Sequence, residues 1–154
     1  MTIKKFQYYE PRSIEEAVTL LDRFAPNAVI LAGGTDLLPL MKQNIISPKH
    51  VINIKTVGVL NEITVDDKIH IGALSKIKSI EKSSTLLENC KILTVAASHI
   101  AYVQIQNIGT IGGNICNASP ASDFAPALMI LDSKVEITNS QEKKVLPICD
   151  FFCG

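Results

Sequence analysis

The sequence predicts an α+β fold built from two small α/β lobes, and three observations lead to this prediction. The chain has 154 residues, of which 47% are hydrophobic and 19% charged, and this composition is typical of a globular domain and not of a disordered chain. Helix-like and strand-like patterns alternate along the chain. A chain of this length buries roughly 70% of its unfolded surface, so its fold requires neither disulfides nor a structural metal.

The first predicted elements are two helices with a strand between them. Ser13–Glu16 has the form of a capping box, and apolar residues then recur at helical spacing as far as Phe24. Residues 28–32 form a short apolar run that ends in a glycine pair, which is typical of a buried strand entering a tight loop. Asp36 is expected to cap a short helix that ends at Lys42.

Helix and strand patterns continue through the rest of the chain. The last helix of a long helical region carries Ile92, Val95, Ala96 and His99 on one side. Residues 107–123 are rich in glycine and polar side chains and are predicted to form a long structured loop, whose length suggests a function. The other predicted elements are strands at 50–54, 63–65 and 68–71, helices within 75–102, a helix from Asp123 to Leu131, and a hairpin of 135–138 with 144–148.

Charge and motif content argue against several classes of function. Fifteen Lys and Arg residues balance fifteen Asp and Glu residues, whereas nucleic-acid binding normally requires a basic surface. No apolar run approaches the ~20 residues that span a bilayer and no signal peptide is visible, so we expect no membrane anchor and a cytoplasmic location. The three histidines are scattered and no Gly-x-Ser-x-Gly motif occurs, which argues against a metal triad and against hydrolase chemistry.

The cysteine pattern also bears on function. Cys90, Cys116, Cys149 and Cys153 form no Cys-x-x-Cys pair. We therefore expect free thiols that are mostly buried. A metal or cluster site around Cys149 and Cys153 is the alternative, but it lacks a second pair of ligands.

Two glycine pairs give the strongest functional indication. One lies in Ala32-Gly33-Gly34-Thr35-Asp36, and the other in Gly109-Thr110-Ile111-Gly112-Gly113-Asn114. Adjacent glycines allow positive φ and close approach of a ligand, so consecutive N–H groups can bind an anion such as phosphate. Neither segment matches the Gly-x-Gly-x-x-Gly or the P-loop pattern. Two tight turns without a ligand are the alternative, and at this point the residues leave both interpretations open.

The segment from Gln106 to Asp123, QNIGTIGGNICNASPASD, resembles the flavin-binding subunit or domain of the molybdenum hydroxylases, which include xanthine, nicotinate and carbon monoxide dehydrogenases. The AGGTDLLPLM stretch at residues 32–41 is similar to the first pyrophosphate loop of that family. The resemblance covers essentially the whole chain. It implies a two-lobed α/β flavin fold of the molybdopterin dehydrogenase (PCMH-like) type, with FAD extended between a first lobe at residues 1–55 and a second at residues 56–154.

The resemblance also implies which residues bind the cofactor. Donors to the FAD diphosphate would be backbone and hydroxyl groups of both glycine segments: Ala32, Gly33, Gly34 and Thr35, with Thr110, Ile111, Gly112 and Gly113. Asp36 and Asn114 would lie at the ends of the two loops, and Asp123 would accept hydrogen bonds from ribityl hydroxyls. For Asp123 a helix N-cap is the alternative, and the two roles are compatible. No catalytic side chain or metal ligand is expected in this chain.

The function implied by the resemblance is electron transfer. The chain would be the FAD-binding component of a molybdenum hydroxylase, inactive alone, that collects electrons from an iron–sulfur subunit and passes them to NAD or another acceptor, while a molybdopterin subunit oxidises the substrate. Gln106 stands where the family commonly has Arg, so we expect a positive charge to be missing and FAD to be held less tightly. The family's C-terminal flavoprotein domain is expected to be absent, and a truncated, non-catalytic nucleotide-binding or assembly module is the alternative function.

Overall fold

The structure is a computed structural model that describes residues 2–152. Its amino-terminal part contains three short parallel strands, β1 (Gln7–Tyr9), β2 (Ala28–Leu31) and β3 (His50–Asn53), in the order β1-β3-β2. Helix α1 (Ile14–Phe24) leads from β1 to β2, and helix α2 (Leu37–Lys42) leads from β2 to β3. These helices provide the crossovers that parallel pairing requires. Both predicted helices and both predicted strands of this region are confirmed, whereas β1 was not predicted.

The two predicted helix caps have different outcomes. The Ser13 hydroxyl accepts a hydrogen bond from the Glu16 amide at 3.1 Å, and the Glu16 carboxylate accepts one from the Arg12 amide at 2.8 Å, so the cap of α1 is confirmed. The predicted cap of α2 is wrong, because the Asp36 side chain makes no capping hydrogen bond. Asp36 already has helical dihedral angles, φ −100° and ψ −46°, whereas a capping residue is normally extended.

The second part of the chain is mostly helical and carries two antiparallel hairpins. Strand β4 pairs with β5, and β6 pairs with β7, each as a separate two-stranded sheet. Two short 3₁₀ turns, Ile54–Thr56 and Gly58–Asn61, lead into it. The elements are β4 (Ile63–Val65), β5 (Ile69–Ile71), α3 (Ile77–Glu81), α4 (Ser84–Asn89), α5 (Lys91–His99), α6 (Val103–Gln106), α7 (Ile111–Asn117), α8 (Phe124–Ile130), β6 (Lys134–Thr138), β7 (Lys143–Pro147) and α9 (Ile148–Phe151).

Two clusters of buried apolar residues support the fold. The smaller cluster centres on Leu31, Met41 and Val51 and belongs to the parallel sheet and α2. The larger cluster joins α3, α4, α5, α7, α8 and α9 around Ile80 and Phe124, which are both completely buried. Removal of apolar surface from water is the main stabilising term in both clusters. A boundary between lobes at residues 55 and 56 stays a prediction.

Two features of the helical part differ from expectation. Residues 111–117 of the predicted loop form helix α7, which begins after Thr110 because the Thr110 hydroxyl accepts from the Gly113 amide at 3.1 Å. In α5 the buried side chains include Leu93 and Ala97, whereas Val95 and His99 are exposed. The side of α5 that the pattern marked therefore faces solvent, because a helix with apolar residues on both sides gives no unique periodic face.

None of the helices within residues 2–152 combines the length and the apolar character that a membrane-spanning helix needs.

Candidate cofactor site

A cleft of about 840 Å³ lies between the two glycine segments. Its size falls within the range of about 300 to 1,000 Å³ that is typical of small-molecule and cofactor pockets. The cleft is bordered by both segments and by the start of α8. The predicted site residues that line it are Ala32, Gly33, Gly34, Thr35, Asp36, Thr110, Gly112, Gly113, Asn114 and Asp123.

Ile111 is the predicted site residue that does not line the cleft. Its side chain is 6% exposed and belongs to the larger apolar cluster. Its amide donates to the Ser75 carbonyl at 3.0 Å. Ile111 thus anchors the second glycine segment in the core instead of facing a ligand.

The two glycine segments touch each other through their main chains. A Cβ atom at Gly33 would lie 2.6 Å from the Ile108 carbonyl oxygen and 2.9 Å from the Gly109 Cα atom. Carbon atoms normally stay about 3.3 Å or more from such an oxygen. Position 33 therefore requires glycine because another segment of this chain packs against it. The sequence analysis had instead explained this glycine by the close approach of a ligand.

The first glycine segment presents amide groups that have no acceptor in the chain. Gly34 has φ +85°, a left-handed conformation that glycine adopts without strain. Among residues 2–152, no carbonyl or side chain accepts a hydrogen bond from the amides of Gly33, Gly34 or Thr35. Amides that are left unpaired at a cleft are suited to bind an anion.

The second glycine segment is different, because the amides of Ile111, Gly112, Gly113 and Asn114 already donate within the chain, whereas the Thr110 amide has no acceptor among residues 2–152. The Gly112 amide donates to the Ala73 carbonyl at 2.9 Å, and the Asn114 amide donates to the Thr110 carbonyl at 2.9 Å. A Cβ at Gly112 would lie 2.6 Å from the Ala73 carbonyl oxygen. This glycine pair therefore fixes the start of α7 against residues 73–75, and the Thr110 amide and the side chains of the segment are what it can offer to a ligand.

Polar side chains form the mouth of the cleft. The Asp36 carboxylate accepts from the Asn117 side-chain amide at 3.4 Å and from the Thr35 hydroxyl at 3.3 Å, which links the two glycine segments. The Ser122 hydroxyl donates to the Asn114 side-chain oxygen at 2.5 Å. These contacts hold the loop before α8 in place.

Asp123 immediately precedes α8 and lines the cleft. Its side chain makes no capping hydrogen bond, and its dihedral angles, φ −72° and ψ −24°, are helical. The helix-cap alternative for this residue is therefore wrong. The Asp123 carboxylate is left available to accept hydrogen bonds from hydroxyl groups of a ligand.

No Lys, Arg or His residue is among those that line the cleft in the described part of the chain. Gln106, where we expected a missing charge to weaken cofactor binding, does not line the cleft either; its side-chain amide lies 3.0 Å from the Ile100 carbonyl. Its side chain faces the end of α5, and the expectation that FAD is held less tightly stays a prediction. Within residues 2–152, no cluster of three or more His, Cys, Asp or Glu side chains is placed to hold a metal ion.

The described cysteines are free thiols, but they are less buried than expected. Cys90 is buried, whereas Cys116 and Cys149 are exposed; Cys153 lies outside the described residues. Cys116 lines the cleft. Protein atoms around its thiol disfavour the charged thiolate, and this desolvation raises the pKa of Cys116 above its ordinary value.

The apolar walls of the cleft include residues that sequence reasoning missed. Ile77, Ile100, Ala101 and Ile105 line it, together with Ile30 of β2. Aliphatic side chains of this kind carry no chemical signature in the sequence, and only their position beside the glycine segments could have indicated a role. They give the cleft surfaces that suit the flat ring systems of a dinucleotide.

Comparison with known proteins identifies the class. Residues 4–154 match the family model described as the FAD binding domain in molybdopterin dehydrogenase. The chain belongs to this family, and FAD is the cofactor of this class of domain. The resemblance, and the FAD cofactor that it implied, are thereby confirmed.

Relatives and solved structures agree with this assignment. The chain is 37% identical to the nicotinate dehydrogenase FAD-subunit of Eubacterium barkeri. The alignment has 155 positions and covers 99% of this chain and 52% of that protein. It is 32% identical to the carbon monoxide dehydrogenase medium chain of Hydrogenophaga pseudoflava, covering 97% of this chain and 53% of that one. The chain thus spans about half the length of these relatives.

The fold is also similar to that of solved structures. Carbon monoxide dehydrogenase from Hydrogenophaga pseudoflava matches with a TM-score of 0.97 and 32% identity, covering 100% of this chain and 54% of that chain. Quinoline 2-oxidoreductase from Pseudomonas putida 86 matches with a TM-score of 0.96 and 26% identity, again over 100% and 54%. The predicted α+β flavin fold is confirmed.

Proposed function

We propose that this chain is the FAD-binding, electron-transfer component of a molybdenum hydroxylase. The observation that supports this most directly is the cleft, in which unpaired amides of Gly33, Gly34 and Thr35 lie at one border and the uncapped Asp123 carboxylate at another. When bound, FAD supplies the redox chemistry, so the protein needs to provide only binding, orientation and electrostatics.

The residues of the chain divide the binding work. The amides of Gly33, Gly34 and Thr35 donate to the diphosphate oxygens, because donors to charged oxygens form the stronger hydrogen bonds. Asp123 accepts from ribityl hydroxyls, which need an acceptor when they leave water. From the second segment the Thr110 amide and the Asn114 side chain, both of residues that line the cleft, contribute more than the other amides do, because those amides already have acceptors in the chain.

The partners of the chain follow from the proposed chemistry. Electrons from a substrate oxidised on a molybdopterin subunit reach this chain through an iron–sulfur subunit, and they leave to NAD or another acceptor such as a quinone. Neither a metal ligand cluster nor a catalytic side chain in residues 2–152 is required for this role. We expect the complex to work in the cytoplasm and the isolated chain to be inert towards oxidisable substrates.

Two measurements test the cofactor assignment. Purified chain should show flavin absorbance near ~450 nm, and titration should favour FAD over FMN because FMN has a single phosphate for the amides of the first segment. A non-catalytic assembly module would bind no flavin at all. Equal affinity for the two flavins would contradict the assignment of the diphosphate to the first segment.

A third measurement tests the partnership. The FAD-loaded chain is mixed anaerobically with a candidate heterocycle or aldehyde substrate, with and without the iron–sulfur and molybdopterin subunits of the same source. Bleaching of the flavin only in the complete mixture supports the proposal. Rapid bleaching by this chain alone would overturn it, since the substrate would then reduce the flavin directly.

A further inference from the structure

One wall of the cleft is the turn between helices α5 and α6. Ile100, Ala101 and Ile105 line the cleft there. Ala101 has φ +49°, a left-handed conformation that a non-glycine residue adopts only at a cost in free energy. Such a conformation persists only where surrounding contacts hold it in place.

Gln106 provides those contacts from behind the wall. Its side chain is almost completely buried, with 4% of the residue exposed. Its Nε2 atom donates to the Ile100 carbonyl at 3.0 Å and lies 3.4 Å from the Ala97 carbonyl and 3.5 Å from the Ser98 carbonyl. Its Oε1 atom accepts from the Lys78 ammonium at 3.3 Å.

Within residues 2–152 the carbonyls of Ser98 and Ile100 accept no backbone hydrogen bond, whereas the Ala97 carbonyl also accepts from the Ile100 amide at 3.4 Å. The last carbonyls of α5 have no partner within the helix, and a buried carbonyl without a partner is costly. Gln106 lies beyond the turn and returns to the end of the helix, so its amide fixes the path of the chain through Ile100 and Ala101. Lys78, which is itself paired with Glu81, orients the Gln106 side chain from α3.

We propose that Gln106 is a positioning residue for the cofactor. It holds the Ile100–Ala101 wall at the cleft and thereby sets how tightly FAD is retained, although it does not touch the cleft itself. This inference rests on the proposal that the cleft holds FAD. It assigns to Gln106 a role through hydrogen-bond donation to carbonyls and not through charge near the diphosphate.

The test uses substitutions that separate donation from shape. Gln106→Met keeps the length of the side chain and removes its donors, whereas Gln106→Asn keeps the amide but is one methylene too short to reach Ile100. Asn107→Ala, at the exposed neighbouring position, is the matched control. Dissociation constants for FAD are measured by flavin fluorescence, together with the unfolding midpoint of the FAD-free protein and the visible circular dichroism of the bound flavin.

We expect the Gln106→Met variant to bind FAD about tenfold more weakly, the effect of one lost hydrogen bond, and to show an altered flavin dichroism signal. The Gln106→Asn variant should show the same weakening, and Asn107→Ala should not change the affinity. If Gln106→Met does not fold, Gln106→Asn takes its place in the comparison.

Two outcomes would overturn the inference. A folded Gln106→Met or Gln106→Asn protein with unchanged FAD affinity would show a merely structural role, even if its unfolding midpoint falls. Weaker binding with an unchanged flavin dichroism signal would show that the Ile100–Ala101 wall has not moved against the cofactor. If the unsubstituted chain itself bound no FAD, the proposed function would fail first, and the two failures are thus distinguishable.

Discussion

Replacement of Gly33 by alanine tests the contact between the two glycine segments. The new Cβ atom would lie 2.6 Å from the Ile108 carbonyl oxygen and 2.9 Å from the Gly109 Cα atom. Both are main-chain atoms, so the clash cannot be relieved by rotation of a side chain, and the two segments must separate. Overpacking of this kind typically costs about 1 to 3 kcal/mol.

Both stability and cofactor affinity should respond. A loss of about 1 to 3 kcal/mol corresponds to a fall in the melting temperature of roughly 2 to 12 °C for a domain of this size. Movement of the first segment also displaces the unpaired amides, and loss of one hydrogen bond to a charged oxygen weakens FAD binding by roughly 10- to 150-fold. Urea unfolding and fluorescence titration with FAD measure the two effects separately.

Gly58 provides the matched control for this experiment. A Cβ atom at Gly58 would meet no heavy atom within 4 Å, so Gly58→Ala should leave the melting temperature and the FAD affinity nearly unchanged or raise stability slightly. If Gly33→Ala behaves like Gly58→Ala in both assays, the close approach of the two segments is not what requires glycine at position 33, and the reasoning is refuted.

Further substitutions and one labelling experiment test other parts of the site. Gly112→Ala should destabilise the chain by about 1 to 3 kcal/mol in urea unfolding, because its Cβ would lie 2.6 Å from the Ala73 carbonyl oxygen; unchanged stability would mean that α7 can shift freely. Asp123→Ala should weaken FAD binding by roughly 10- to 150-fold with a native circular dichroism spectrum, and normal binding would remove Asp123 from the site. Although Cys116 is exposed, the protein atoms around its thiol partly desolvate it and raise its pKa, and the thiolate is the nucleophile. Alkylation of Cys116 should therefore become rapid only above the pH at which an ordinary thiol reacts, and FAD should protect it while Cys149 stays reactive. Mass spectrometry of both peptides measures this, and labelling of Cys116 that FAD does not slow would contradict its place in the cleft.

Local patterns made part of the fold predictable. The capping residue Ser13 and the helical period after it specify α1 without any information from the rest of the chain. Strand β1 was missed because three residues are too few for a period, and its pairing with β3 depends on contacts 43 positions away, such as Gln7 with His50. Local propensity could not provide that information.

In the candidate site, too, local patterns were predictable from the sequence and contacts between distant residues were not. Glycine pairs identify where a ligand approaches, and the lining of the cleft includes both pairs. The sequence does not distinguish a glycine that admits a ligand from one that admits another part of the chain, and Gly33 and Gly112 are both of the second kind. Helix α7 was likewise missed, because glycine disfavours helices and the carbonyls of Ala73 and Ser75 that stabilise its start lie far away in the sequence.

The absence of cationic side chains from the described lining of the cleft determines how the cofactor arrives. A basic pocket attracts an anion over distances of the order of a Debye length, about 10 Å at 0.1 M salt, and its association rate falls as ionic strength rises. Here Asp36 and Asp123 are the charged residues in the described lining of the cleft, so the lining itself offers the incoming diphosphate no opposite charge. Salt should therefore leave cofactor loading unchanged or accelerate it, and the chain selects its cofactor by short-range fit after encounter and not by attraction from a distance.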